Sequence, residues 1–127
     1  MTLKLYAHPF SSYCQKVLIA LYENDIAFEW RVLTPDDAAT DAEFTALWPI
    51  RRMPLLRDGE RTVIESSIII EYLDRHYPGA APLIPFDVDT ALEARAMDRC
   101  FDLYVQTPVQ KIVFDSRRPA ADRDPSG

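Results

Sequence analysis

No stretch of the sequence approaches the roughly twenty consecutive apolar residues that a membrane-spanning helix needs, so no membrane partner is expected. Cysteine is scarce. Cys14 and Cys100 lie far apart in apolar patterns, and the N-terminus lacks the charged, apolar and small-residue layout of a secretory signal, which together predict a reducing, cytoplasmic setting. An excess of positive charge is missing too. Lys and Arg number 14 against 20 Asp and Glu, a formal net charge of −6, and the pairs Arg51-Arg52 and Arg117-Arg118 do not make an extended basic face. Nucleic acid is therefore not an expected partner. His8 and His76 have no carboxylate or second histidine at a useful spacing, so neither a metal site nor triad chemistry is expected.

What is present suits a folded protein. The 127 residues are 48% hydrophobic and 27% charged, enough to bury a core without disulfides. The apolar run Leu3-Lys4-Leu5-Tyr6-Ala7 leads into Ser11-Ser12-Tyr13-Cys14, where the periodic series Cys14, Val17, Leu18, Leu21, Tyr22 begins. A strand running straight into a helix puts Ser11 or Ser12 at the helix N-terminus, where unpaired N–H groups and the peptide dipole favour an anion. Serine is also a common N-cap with no further role. Cys14 weighs against that plainer reading, because S-x-x-C at such a turn has the spacing of a thioredoxin-like redox motif whose first thiol has become a hydroxyl.

The first helix is expected to stop near Asn24-Asp25, and Phe28-Glu29-Trp30-Arg31-Val32 alternates as a strand, completing a right-handed parallel crossover. Thr40 and Glu43 have capping-box spacing for a short helix that ends at Leu47 before Trp48-Pro49. Met53-Pro54 opens an apolar stretch in which the proline suggests an edge, a bulge or a cis turn. Arg57 to Arg61 turns Leu55-Leu56 back onto Thr62-Val63-Ile64 as a hairpin, and Glu65-Ser66-Ser67 caps a helix carrying Ile69, Tyr72, Leu73 and His76. The expected fold is α/β: a β-α-β, α, β-β-α domain with a mixed four-stranded sheet over residues 1–78.

The proline-rich stretch 79–86 reads as a linker, and 87–127 as helical, with a capping box at Thr90 and Glu93 and a kink or stop at Thr107-Pro108. Residues 115–127 read as a loop or disorder. One long helix cannot make its own core. The second region is expected to pack on the first domain, on another chain or on further sequence, and the chain reads as a truncated form.

Ser11-Ser12-Tyr13-Cys14-Gln15-Lys16-Val17, Met53-Pro54, and Glu65-Ser66 followed by Ile69-Ile70-Glu71-Tyr72-Leu73 resemble the glutathione transferases, in their serine-type theta and zeta branches. The resemblance implies a thioredoxin-like first domain that binds glutathione as co-substrate, followed by the first helix of an incomplete all-helical domain. It implies that Ser11 donates to the glutathione sulfur, with Ser12 the neighbouring candidate and Tyr6 or Tyr13 the fallback. Pro54 would be a cis proline presenting the Met53 backbone to the cysteinyl part. Glu65 and Ser66 would grip the γ-glutamyl end and Arg52 the glycine carboxylate, with Arg51 solvated and Cys14 in the core. The implied activity is attack of glutathione thiolate on an electrophilic small molecule, in detoxification, by a homodimer. Alternatives are a non-catalytic dimerisation or docking module, and thiol–disulfide exchange through Cys14, which lacks a second thiol to cycle with.

Overall fold

The structure, a computed structural model, describes residues 3–125. The chain divides into two compact units, Met1–Pro85 and Phe86–Gly127. In the first, β1 (Leu3–Ala7), α1 (Ser12–Glu23), β2 (Phe28–Val32), α2 (Ala38–Leu47), β3 (Leu55–Asp58), β4 (Arg61–Ile64) and α3 (Ser66–His76) follow in that order. The strands form one mixed sheet ordered β2-β1-β3-β4, with β1 parallel to β2 and antiparallel to β3. This is the thioredoxin-like arrangement expected.

Lying inside the sheet, β1 is buried along its length except at Lys4, which is half-buried. Leu3, Leu5 and Ala7 face α1 and α3, packing with Cys14, Val17, Leu18, Leu21, Ile69 and Leu73. Tyr6, on the opposite face by the period of the strand, packs with Leu33, Phe44 and Leu55 under α2. The α3 helix is also tied by polar bonds: the hydroxyls of Tyr72 and Tyr77 both donate to Asp58 Oδ2, at 2.6 and 2.9 Å. Hydrogen bonds to a charged acceptor contribute about 1.5–3 kcal/mol each, so Asp58→Ala, which removes both, should destabilise the fold by about 3–6 kcal/mol in urea unfolding. Tyr72→Phe, which removes one bond, should cost less.

The same tyrosines predict alkaline behaviour. The bond to Asp58 raises the Tyr72 pKa, while burial, helped by Asp58 and by Glu43, raises those of Tyr77 and Tyr6. The unfolded chain therefore loses these protons first, at the ordinary tyrosine pKa of about 10. Their contribution is intact below that pH and is lost as pH rises above it. Urea midpoints should be flat from pH 8 to 9.5 and fall beyond pH 10, and a midpoint that held steady there would contradict this.

Both expected capping boxes are displaced. Asp37, not Thr40, caps α2, accepting from Thr40 N at 3.0 Å and Thr40 Oγ1 at 2.8 Å. Asp87, not Thr90, caps α4 (Val88–Phe101) in the same way, at 2.9 and 2.7 Å. A carboxylate three residues ahead accepts from both the N–H and the O–H of the threonine, which a threonine cap could not match. Glu65 precedes α3 without any side-chain cap bond, so the expected Glu65-Ser66-Ser67 cap is absent.

In the second unit Pro108 does not end the helix. A π-helical turn, Asp102–Gln106, joins α4 to α5 (Thr107–Ser116), and Thr107 donates both its N–H and, at 2.9 Å, its hydroxyl to Asp102 O. The wider turn absorbs the missing proline N–H and moves the ring from the preceding carbonyls. The tail is not a featureless loop either. A 3₁₀ turn spans Ala120–Asp122, and the N–H of Asp124 donates to both carboxylate oxygens of Asp115 at 3.2 and 3.1 Å. Ser126 and Gly127, expected to be loop, lie outside the described residues.

Candidate functional site

Strand register brings three chain segments to one edge of the sheet. Tyr6 pairs with Leu55, and Leu55 with Ile64. The carboxyl end of β1, the start of β3 and the end of β4 therefore share an edge. Ser11 and Ser12 follow the first, Met53 and Pro54 precede the second, and Glu65 and Ser66 follow the third. Residues far apart in sequence thus leave the sheet together, at the carboxyl edge of β1 where crevices form in such sheets.

Ser11 is the N-cap of α1, its Oγ accepting from Cys14 N at 3.4 Å. A hydroxyl that accepts in this way still has its O–H to donate. Ser12 is the first residue of α1 and, like Tyr13 after it, is half-buried. Cys14 is fully buried, and burial pushes its thiol pKa up against the weaker opposing effect of hydrogen bonds from Ser11 and His8. A protonated, inaccessible thiol is a poor nucleophile, so Cys14 belongs to the core as expected and does not serve disulfide exchange. Tyr6 is buried in the cluster under α2 with its hydroxyl committed to Glu43, which removes it as a fallback donor.

The Met53–Pro54 peptide is cis. Arg52 just before it is exposed, with no hydrogen bond or ion pair among the described residues. Arg51, expected to be merely solvated, is exposed but held: Nη2 and Nη1 reach the two oxygens of Asp41 at 2.7 and 3.1 Å, and the guanidinium lies 5.9 Å from the Phe44 ring centroid. Glu65 adopts φ 70°, ψ 122°. A non-glycine residue there costs about 1–3 kcal/mol, and such backbone is kept where the surroundings or a ligand require it. Ser66 is buried at the first position of α3, while the Glu65 side chain is exposed.

The helix starts differ in a consistent way. Those of α2 and α4 are satisfied internally, with Asp caps and a further Asp41 or Asp89 in the first turn. The two at the shared edge have no acidic residue in the first turn, and α3 has no side-chain cap. Both helices direct positive dipole ends at this one edge, which suits a ligand carrying negative charge.

The family model for the glutathione S-transferase N-terminal domain matches residues 5–81. The chain belongs to the glutathione S-transferase family. It is 38% identical to glutathione S-transferase theta-1 of Homo sapiens over 98 residues, 76% of this chain and 39% of that protein. A glutathione S-transferase of Methylobacillus flagellatus with glutathione bound superposes with a TM-score of 0.85 at 25% identity, over 98% of this chain and 60% of that one. One from Methylobacterium radiotolerans in complex with glutathione sulfonate gives 0.81 at 31% identity, over 99% and 58%. The chain thus spans less than two thirds of the length of these relatives.

Within this transferase fold, the sequence reading missed the polar ties that hold the edge segments. One is Lys16 Nζ donating to Ser67 Oγ at 3.0 Å, which joins the second turn of α1 to the first turn of α3. Another is the meeting of Tyr6, Glu43 and Arg31 under α2. Lys16 and Ser67 are 51 residues apart, Tyr6 and Glu43 37, and Arg31 and Glu43 12, so no local spacing signals them.

Proposed function

We propose that the crevice binds glutathione and that the protein acts as a glutathione transferase, holding the thiol as thiolate for attack on an electrophilic carbon. The observation that carries this reading is the pair of helix starts, neither with an acidic residue in its first turn, converging on one sheet edge beside Ser11, Met53 and Ser66. Glutathione offers what that edge lacks: a carboxylate at each end, an ammonium beside one of them, and an ionisable thiol between. The α3 start with Ser66 takes the γ-glutamyl carboxylate, and Glu65 faces the ammonium. The Met53 backbone pairs with the cysteinyl unit as a strand would, and Arg52 meets the glycine carboxylate. Ser11, with Ser12 beside it, donates to sulfur.

In the reaction the sulfur lone pair forms a C–S bond as the electrophile's leaving group departs with its bonding pair. The protein's part is to keep the thiol proton off and the sulfur aligned, through hydrogen bonding and position. Formation of a homodimer and a cytoplasmic setting follow from the family resemblance, and sedimentation tests the first. Calorimetric titration with glutathione, and with S-methylglutathione as a control lacking the ionisable thiol, tests the site. Saturable binding, weaker for the methylated analogue, is expected. A folded sample that binds neither would overturn the reading in favour of a docking module.

A further inference from the structure

Under the sheet, one carboxylate ties three elements together. The hydroxyl of Tyr6, in β1, donates to Glu43 Oε1, and Nη2 of Arg31, in β2, donates to Glu43 Oε2 at 2.8 Å. Arg31 also reaches Glu29 at 3.3 Å. Glu43 sits in the middle of α2, so this helix is pinned to the two strands by a charged fork rather than by apolar contact alone. The Tyr6 hydroxyl, with Arg31 beside it, holds the Glu43 carboxyl below the usual carboxylate range, which keeps the fork charged at neutral pH.

The same helix carries the turn that precedes β3. The Tyr6 and Phe44 rings stack with centroids 6.2 Å apart, and Leu47, Trp48 and Met53 pack against the cluster they belong to. From its outer side α2 also holds the turn through Asp41, which takes the guanidinium of Arg51 on both oxygens at 2.7 and 3.1 Å. The chain after α2 is therefore fastened to that helix through Trp48 N–H on Phe44 O and through Arg51 on Asp41, with Met53 packed against the cluster that includes Phe44, and α2 is fastened to the sheet at Glu43. Apolar packing by itself tolerates sliding and rotation. A carboxylate shared by two donors on adjacent strands fixes direction as well.

We propose that Glu43 is a positioning residue for the glutathione-binding turn, its fork to Tyr6 and Arg31 setting the placement of α2 and, through α2, of Arg52 and Met53. The proposal rests on the glutathione reading above, and Glu43 touches neither the ligand nor the reacting atoms.

The test pairs two measurements on the whole chain, wild type and Glu43→Ala: calorimetric titration with glutathione, and hydrogen exchange of the backbone amides without ligand. Glu43→Ala should weaken glutathione about tenfold, a usual size for coupling through a packed network. Exchange should rise in residues 44–53 while β1, α1 and α3 stay protected. Glu43→Gln, which still accepts from Tyr6, should recover part of both effects. A folded Glu43→Ala protein with a lower melting temperature but unchanged affinity and no selective exchange at 44–53 behaves as a merely structural variant would, and overturns the proposal. Should that variant fail to fold, Tyr6→Phe, which removes only the hydroxyl, decides by the same two readouts. If the wild type itself binds no glutathione, the ligand reading fails while selective exchange still shows whether Glu43 places the turn.

Discussion

Replacing Ser11 by alanine should leave glutathione affinity within a few-fold of the wild type and remove most of the thiol activation. At the head of α1 the sulfur would meet the Ser11 O–H and the positive end of the helix, and both favour thiolate over thiol. A free cysteine thiol has a pKa of about 8.5, so each unit by which the site lowers it multiplies the thiolate present at neutral pH about tenfold. Loss of one such donor should slow attack on an activated aryl halide by about a hundredfold, the usual effect of removing one hydrogen bond to a developing or resident anion. Affinity is spared because both ends of the tripeptide are held elsewhere. Ultraviolet titration of bound glutathione reads the thiolate directly: the Ser11→Ala curve should move towards free glutathione, and Ser12→Ala should move it less. If the two curves exchanged these shifts, the sulfur donor would be Ser12. If neither moved, the hydroxyl would have no part in ionisation. The lost cap should also cost about 1 kcal/mol of stability, so the comparison belongs well below the melting temperature.

The elements were legible where the signal was local and repeated. Strand alternation at Phe28–Val32, helical periodicity from Cys14 to Leu21 and the Gly59 turn placed β2, α1 and the β3–β4 hairpin within a residue or two. The meeting of these segments at one sheet edge was legible as well, because it is assembled from segment ends and those carry the punctuation of Ser, Pro and Glu-Ser. The helix caps misled by a single competing residue type. Asp37 and Asp87 stand ahead of Thr40 and Thr90 and satisfy both the threonine N–H and its hydroxyl. At Pro108 the sequence signals a kink or a stop, but a π turn in which Thr107 donates both its N–H and its hydroxyl to Asp102 O lets the helix run on. Glu43 shows the deeper difficulty. It reads as half of a capping box, yet both of its partners lie on strands, and Tyr6 is 37 residues away. Pairing of that kind follows from strand order, which no spacing reveals until the sheet is built.

Ser66 offers the prediction with the largest opposed effects. An aspartate at the first position of α3 would bring its own carboxylate to donors that have no side-chain cap and no acidic residue in the first turn. For the helix that is at best neutral: an acidic residue at an N-terminus contributes about 0.3–1 kcal/mol, set against the cost of a carboxylate where Ser66 is buried. For glutathione it is prohibitive, since the γ-glutamyl carboxylate would face a like charge at close range, a cost of several kcal/mol. Ser66→Asp should therefore keep the melting temperature close to that of the wild type while weakening glutathione by about a hundredfold or more. Ser66→Ala, which loses a hydroxyl and leaves the N–H groups open, should weaken it only about tenfold, one hydrogen bond's worth. Read by calorimetry beside thermal unfolding, the pair separates an anion site from a structural serine. A structural serine would lose stability in both variants and discriminate little between them in binding. An anion site loses affinity in the order Ser, Ala, Asp with stability nearly level, and it should regain affinity in the Asp variant for a glutathione analogue whose γ-glutamyl carboxylate has been replaced by an amide.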